Sequence, residues 1–406
     1  MGGPPRGAHF PRTSLSIAPP GAPDAGAVAA RGAMKRIVIC CDGTWKRLDA
    51  RHPTNVVRLA QAVAPRGPDG VAQIVYHIDG VGAGRGTGRI ARALDRVLGG
   101  AFGQGLLGTI EAAYRFLVFN HAPGDEIFLF GFSRGAFCAR SLAGLIRNCG
   151  VLEKSAAAAI PEALALYRGR GETAHPDAPP AVAFRRAHAQ PAHTSPADHA
   201  ARPEAREPVR IAYLGVWDTV GSLGLPVQFR LAELVNRSLR FHDTRLSKGV
   251  AAARHAVAID ERRRTFPPAL WDNLDALNRE AGAERYAQSW FPGDHGSVGG
   301  GGAARALSDD ALLWVAEGAV ARGLALEPGA LAEWRAARNP MGPLRARPRR
   351  GLLDALLALG PAERRGPERR AEVAEAAIRR FRADPGYRPA ALTRLLGAPA
   401  EAPCRA

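Results

Sequence analysis

The chain has 406 residues, 46% hydrophobic and 23% charged, with a formal net charge of +17. That length suits one large domain or two medium ones with a sizeable core, and no apolar run approaches the ~20 residues a membrane-spanning helix needs. Only Lys35, Lys46, Lys154 and Lys248 among the 55 basic side chains are lysine. The charge therefore reads as an arginine-rich composition bias, with transient contact to an anionic membrane as its functional alternative and no nucleic acid expected.

Residues 1–33 are rich in Gly, Pro and Ala, lack the apolar core of a signal peptide and are expected to be disordered. The folded part starts at Met34. RIVICC (36–41) predicts a strand that ends in the turn Asp42-Gly43, and TNVVRLAQAVA (54–64) has helical spacing. QIVYHI (73–78) predicts a second strand, and the glycine-rich loop after it fits no phosphate-binding fingerprint. Helices are expected at 90–98 and 105–120, a strand at 126–131, and a helix at 134–148 stopped by Gly150. Residues 171–208 read as a low-complexity loop insertion. Its histidines, His175, His188, His193 and His199, match no metal template, so no metal is expected. Together with the residues before it (151–170), this insertion is expected to fold partly over the site as a mobile lid. Strands at 210–216, 255–259 and 286–291 follow, then a helical C-terminal part at 340–396 and a disordered tail at 397–406. Cys40, Cys41, Cys138, Cys149 and Cys404 form neither a disulfide framework nor a CxxC pair, which points to reduced thiols in a cytoplasmic protein.

Strands alternating with helices predict an α/β fold, a mostly parallel sheet covered on both faces, spanning 34–396. Ligands of such sheets bind at the carboxyl ends of the strands. One strand end reads Gly131-Phe132-Ser133-Arg134-Gly135, a G-x-S-x-G between a strand and a helix. There the chain turns so sharply that the serine protrudes, and Gly131 and Gly135 remove side chains that would collide. A serine hydroxyl needs a base. His295, in the loop after the last strand, follows in the order expected of the base. The acid is Asp218 or Asp260, each at a strand end, with Asp294 a further candidate. The oxyanion would meet the backbone N–H of Arg134 and an N–H of Gly43 or Thr44. Asp42-Gly43-Thr44 also matches part of a phosphatase signature, but Cys40 stands where that chemistry needs an aspartate.

IVICCDGTW, PTNVVRLAQAV, YHIDGVG, EIFLFGFSRGAFCARSLAGLIRNCGVL, IAYLGVWDTVGSLG, HAVAIDERRRTFPPALW, SWFPGDHGSVGGG, LSDDALLWV and RADPGYRPAAL run in this order from about residue 36 to 392. Together they resemble the α/β-hydrolase-like catalytic domain of bacterial type VI secretion phospholipase effectors. The resemblance implies an α/β-hydrolase-like fold, a serine nucleophile at Ser133, a histidine at His295, and hydrolysis of a lipid or other ester; no cofactor is expected. It names no immunity or delivery partner. It also exposes a departure, because Ser297 stands where the family usually has an aspartate. That departure motivates a rival expectation, a hydrolase scaffold retained only for binding.

Overall fold

The computed structural model of the chain describes residues 34–44, 46–80, 100–169, 171–221, 245–264, 266–344 and 363–397. The expectations for 1–33, 81–98, 345–362 and 398–406 lie outside the described residues.

Six strands form one parallel sheet: β1 (Lys35–Cys41), β2 (Ala72–Ile78), β3 (Glu126–Phe132), β4 (Arg210–Trp217), β5 (Ala253–Ala258) and β6 (Tyr286–Phe291). Their spatial order is β2-β1-β3-β4-β5-β6. Side chains alternate across the sheet because successive Cβ atoms point to opposite faces. Ile37, Ile39, Ile127 and Leu129 thus enter one core, and Val38, Cys40, Phe128 and Phe130 enter the other. The first core is covered by α2 (Gly100–Asn120), α3 (Arg134–Cys149) and α4 (Ile160–Arg168). The second is covered by α1 (Asn55–Ala62), α9 (Ala306–Val320) and α10 (Ala330–Ala337).

The strand order reverses between β1 and β3. The chain leaves β1 for β2 on one side, then returns to β3 on the other. Helices leaving these two strands diverge to opposite faces of the sheet, the kind of switch point at which open parallel sheets bind ligands. The Asp42-Gly43-Thr44 turn and Ser133 both sit at this switch point. An alanine Cβ at position 43 would stand 3.4 Å from the Cβ of Ser133.

The segment 171–208 differs from the loop predicted for it. It folds into α5 (Pro179–His188) and α6 (Pro196–Ala201), with Ala192–His193 pairing in parallel with Glu207–Pro208. Its centre is a buried cluster in which Asp198 accepts from Arg185 Nε at 2.8 Å and from Arg202 Nη2 at 2.8 Å. Its ties run to the C-terminal half of α3, through Arg147 to Asp177 and through Asn148 to the Ala174 carbonyl. Ser133 precedes the opposite end of that 16-residue helix, about 24 Å away at 1.5 Å per residue. The lid expected over the site is therefore corrected to a cover for the far end of α3.

Downstream lie α7 (Leu274–Ala281), α8 (His295–Gly299), α11 (Glu375–Ala383) and α12 (Ala390–Leu396). The last two close the β6 edge. The Ala374 N–H donates to the Trp290 carbonyl at 3.0 Å, and Val373, Ile378, Phe381, Tyr387 and Leu392 pack on Val257, Ile259 and Trp290. A covered edge cannot pair with another chain. Among the described residues no helix is long and apolar enough to cross a membrane.

Candidate active site

Ser133 joins β3 to α3 with φ 58° and ψ −121°. Among the described residues, Ser133 and Asp218 (φ 38°) are the non-glycine residues at positive φ, a conformation that persists only where the surroundings enforce it. The enforcement at Ser133 is visible. Its N–H donates to the Trp217 carbonyl at 3.0 Å, and its carbonyl accepts from Phe137 at 3.4 Å. The flanking glycines are required sterically. A Cβ at Gly131 would lie 2.4 Å from the Gly135 carbonyl oxygen, and one at Gly135 would lie 2.1 Å from that of Cys41.

Three residues from three strand ends meet here. Ser133 Oγ lies 2.8 Å from His295 Nε2, and His295 Nδ1 lies 2.5 Å from Asp218 Oδ2. The carboxylate can only accept, so Nδ1 carries the proton and donates it. Nε2 then offers a lone pair to which the Ser133 hydroxyl donates. All three are nearly closed to solvent, at 4%, 7% and 0% exposure for Ser133, His295 and Asp218, so their mutual interactions are weakly screened. Burial pulls the His295 pKa below its ordinary value against the opposing pull of Asp218, which leaves the imidazole neutral at pH 7. Burial also opposes ionisation of Asp218. The Arg364 charge and the bonds from His295 and Arg364 overcome it and hold that carboxyl far below the usual range.

Asp260 is not at the histidine side chain. Its Oδ2 accepts from the Gly293 N–H at 2.6 Å and from the Tyr387 hydroxyl at 2.9 Å, and burial raises its pKa. It anchors the start of the loop that carries His295. Other groups pin the same loop. Glu261 accepts from the His295 N–H at 3.3 Å, Asn55 donates to the Val298 carbonyl at 2.9 Å, and the Gly301 N–H donates to the Pro53 carbonyl at 3.1 Å. Asp294 caps α8, accepting from both the N–H and the hydroxyl of Ser297 at 2.8 Å. Ser297 therefore keeps this turn closed with a hydrogen bond of its own. The His295 ring is sandwiched between Phe132, with centroids 4.6 Å apart, and the edge-on ring of Phe266 at 4.9 Å.

At the first turn, Gly43 and Thr44 differ in their hydrogen bonding. The Gly43 N–H donates to Asp42 Oδ1 at 2.7 Å, and Asp42 also accepts from the Thr54 hydroxyl. The Thr44 N–H has no acceptor among the described residues. Arg134, the residue after Ser133, is the first residue of α3.

Three contributors carried little signal in the sequence. Glu261 stands at a strand end beside Asp260 and could have been weighed. Arg364 lies in the C-terminal part outside every motif quoted above, and Tyr387 lies in RADPGYRPAAL, which offered no chemical role, yet each bonds a carboxylate of this constellation. A cavity of about 990 Å³ has none of Ser133, His295 and Asp218 in its lining. It lies beside them, with Phe266, Trp271, Trp290 and Arg364 in its wall.

The profile of the family described as type VI secretion system phospholipase effector Tle1-like, catalytic domain, matches residues 35–318. A Saccharomyces cerevisiae protein, YEL023C, is 30% identical over 242 residues, which is 57% of this chain and 32% of the yeast protein. A crystal structure of an uncharacterized Pseudomonas aeruginosa protein shares 18% identity at a TM-score of 0.41, covering 76% of this chain and 50% of that one. A Tle1 effector, solved bound to the VgrG spike of the type VI secretion system, shares 18% identity at a TM-score of 0.32, covering 66% and 51%. The chain thus spans about a third of the yeast relative and half of each solved structure.

Proposed function

We propose that this chain, which belongs to the family of Tle1-like phospholipase effector catalytic domains, is a serine hydrolase that cleaves carboxylic esters of phospholipids. The observation that carries this reading is the hydrogen-bonded run from Ser133 through His295 to Asp218 at a strained strand-to-helix elbow.

Ser133 Oγ attacks the acyl carbonyl carbon while its proton passes to His295 Nε2. The C–O π pair moves onto the carbonyl oxygen, giving a tetrahedral oxyanion. Backbone N–H groups of Arg134 and Thr44 are the donors that bind it, with the N-terminus of α3 adding its dipole. His295 then gives the proton to the departing alcohol oxygen as the C–O bond breaks, leaving an acyl-enzyme. Water, deprotonated by His295, repeats the sequence and releases the fatty acid. Asp218 keeps Nδ1 protonated and offsets the imidazolium that forms at each step. The family supports a lipid ester as the substrate class. The closed Asp294–Ser297 turn favours this reading over a scaffold kept only for binding.

The test is fatty-acid release from phosphatidylcholine and phosphatidylglycerol vesicles, and cleavage of short p-nitrophenyl esters, by wild type and Ser133→Ala. Turnover by wild type and none above background by the variant are expected. Equal turnover by the two would remove Ser133 from the chemistry.

A further inference from the structure

One side of Asp218 faces the histidine. Its other side is occupied by an arginine from a distant part of the chain. The Arg364 side chain is 5% exposed, and it grips both carboxylate oxygens, Nη1 to Oδ1 at 2.6 Å and Nη2 to Oδ2 at 3.0 Å. The same two nitrogens donate to the Ala258 carbonyl at 2.9 Å and the Phe266 carbonyl at 2.8 Å. The guanidinium is thus fixed between the end of β5 and the ring that lies against His295. Apart from Arg364, Oδ1 accepts from the Ala258 N–H and Oδ2 from His295 Nδ1. The planar fork therefore sets the plane in which the carboxylate meets the imidazole.

We propose, on the reading of Ser133 as the nucleophile, that Arg364 is a positioning residue for the hydrolysis, supplied by a segment that lies beyond the family-matched residues 35–318. It orients Asp218 and opposes, with its charge, protonation of the Asp218–His295 pair. The site is incomplete without the C-terminal part of the chain.

The charges facing this pair come from several elements. Glu261 and Arg263 follow β5, with Arg263 paired to Glu261 and stacked on Phe266. His255 is in β5 itself, neutral and bonded to the Thr219 N–H. Arg364 contacts Asp218 directly, and Ser133 completes the group. Removing the Arg364 charge makes proton uptake by the pair easier, whether the proton settles on His295 or on Asp218. The active form has a neutral imidazole beside an ionised carboxylate, so it would then require a higher pH.

The experiment compares wild type, Arg364→Gln, Arg364→Lys and the exposed control Arg369→Gln. The first readout is the pH dependence of kcat and KM on a short p-nitrophenyl ester. The second is the pH titration of the His295 ring by 15N-histidine NMR, assigned with His295→Gln. For Arg364→Gln we expect the acid limb and the NMR midpoint to move up by about one pH unit or more. We also expect kcat on the plateau to fall about 10- to 100-fold, with KM within about twofold. Arg364→Lys keeps the charge but not the fork, so its limb stays in place while kcat falls by an intermediate amount. Arg369→Gln matches wild type. A folded Arg364→Gln protein with an unmoved limb and an unmoved NMR midpoint overturns the proposal. Should Arg364→Gln show no cooperative thermal transition, Arg364→Lys decides, and wild-type kcat in that variant overturns the proposal. If wild type cleaves no ester, the hydrolase reading fails separately, and the NMR midpoint alone decides for or against the role of Arg364.

Discussion

At Asp218, Asn would preserve the side chain's outline and reverse its chemistry. An amide cannot hold Nδ1 as a dedicated donor and Nε2 as an acceptor, so kcat in Asp218→Asn should fall by about three to four orders of magnitude. The change also strands the Arg364 guanidinium in a buried site, at a stability cost of about 3–5 kcal/mol, measurable by urea denaturation. Asp260→Asn keeps an acceptor oxygen for Gly293 and Tyr387 and should lower kcat less than about tenfold. The pair of variants separates the two acids that chain order alone left equal. The sequence singled out Ser133 and His295 because each is framed by a local signal, an elbow and a strand-end glycine loop. It put Asp218 ahead of Asp260 only for the Trp217 and Gly221 around it, since both end strands in the same way. What separates them is the direction each side chain takes, and that is set by the positive φ of Asp218 and by the Gly293 N–H that Asp260 captures. Arg364 was illegible because it is one arginine in an arginine-rich chain, and its partner lies 146 positions away.

The elbow is an element-scale device in which two backbones pass within van der Waals contact. Gly135→Ala would drive a methyl into two carbonyl oxygens of the β1 exit, at 2.1 and 2.4 Å, and neither backbone can yield without moving the Thr44 turn. We expect a loss of 3 kcal/mol or more, on the order of severe overpacking, with activity lost before the fold. Thermal melting and turnover measured together check it. On the opposite flank, Tyr387→Phe removes the hydroxyl that α11 and α12 bring to Asp260, at a cost of about 1–2 kcal/mol. It should also lower kcat modestly by loosening the loop that carries His295. The strands were readable to within one or two residues because their apolar runs are short and bounded by turn residues. The 171–208 segment was not. Its proline- and histidine-rich composition hides a fold organised around one buried aspartate, Asp198, between Arg185 and Arg202.

For the whole molecule, pH reports on the buried histidines. Burial lowers the pKa of His121 and His295, and brings that of His255 down to about 3. In the unfolded chain each returns to about 6.5. Between these values the unfolded state binds more protons, so stability rises with pH. Acidification from pH 7 to pH 5 should therefore lower the unfolding free energy, by about 2 kcal/mol from His255 alone, as read from urea midpoints. A midpoint unchanged across that range would mean that these imidazoles are not held neutral. The parallel sheet was legible from the alternation of strands and helices. The position of β1 between β2 and β3 was not, because strand order depends on crossovers that leave no periodic trace. That order places the Thr44 turn beside Ser133, as the proposed chemistry requires. Labelling of purified protein by a fluorophosphonate probe, wild type beside Ser133→Ala, tests the central claim most directly. Covalent modification of the wild type at Ser133, with none in the variant, is the predicted result. A well-folded wild type that resists the probe would contradict an activated serine at this elbow.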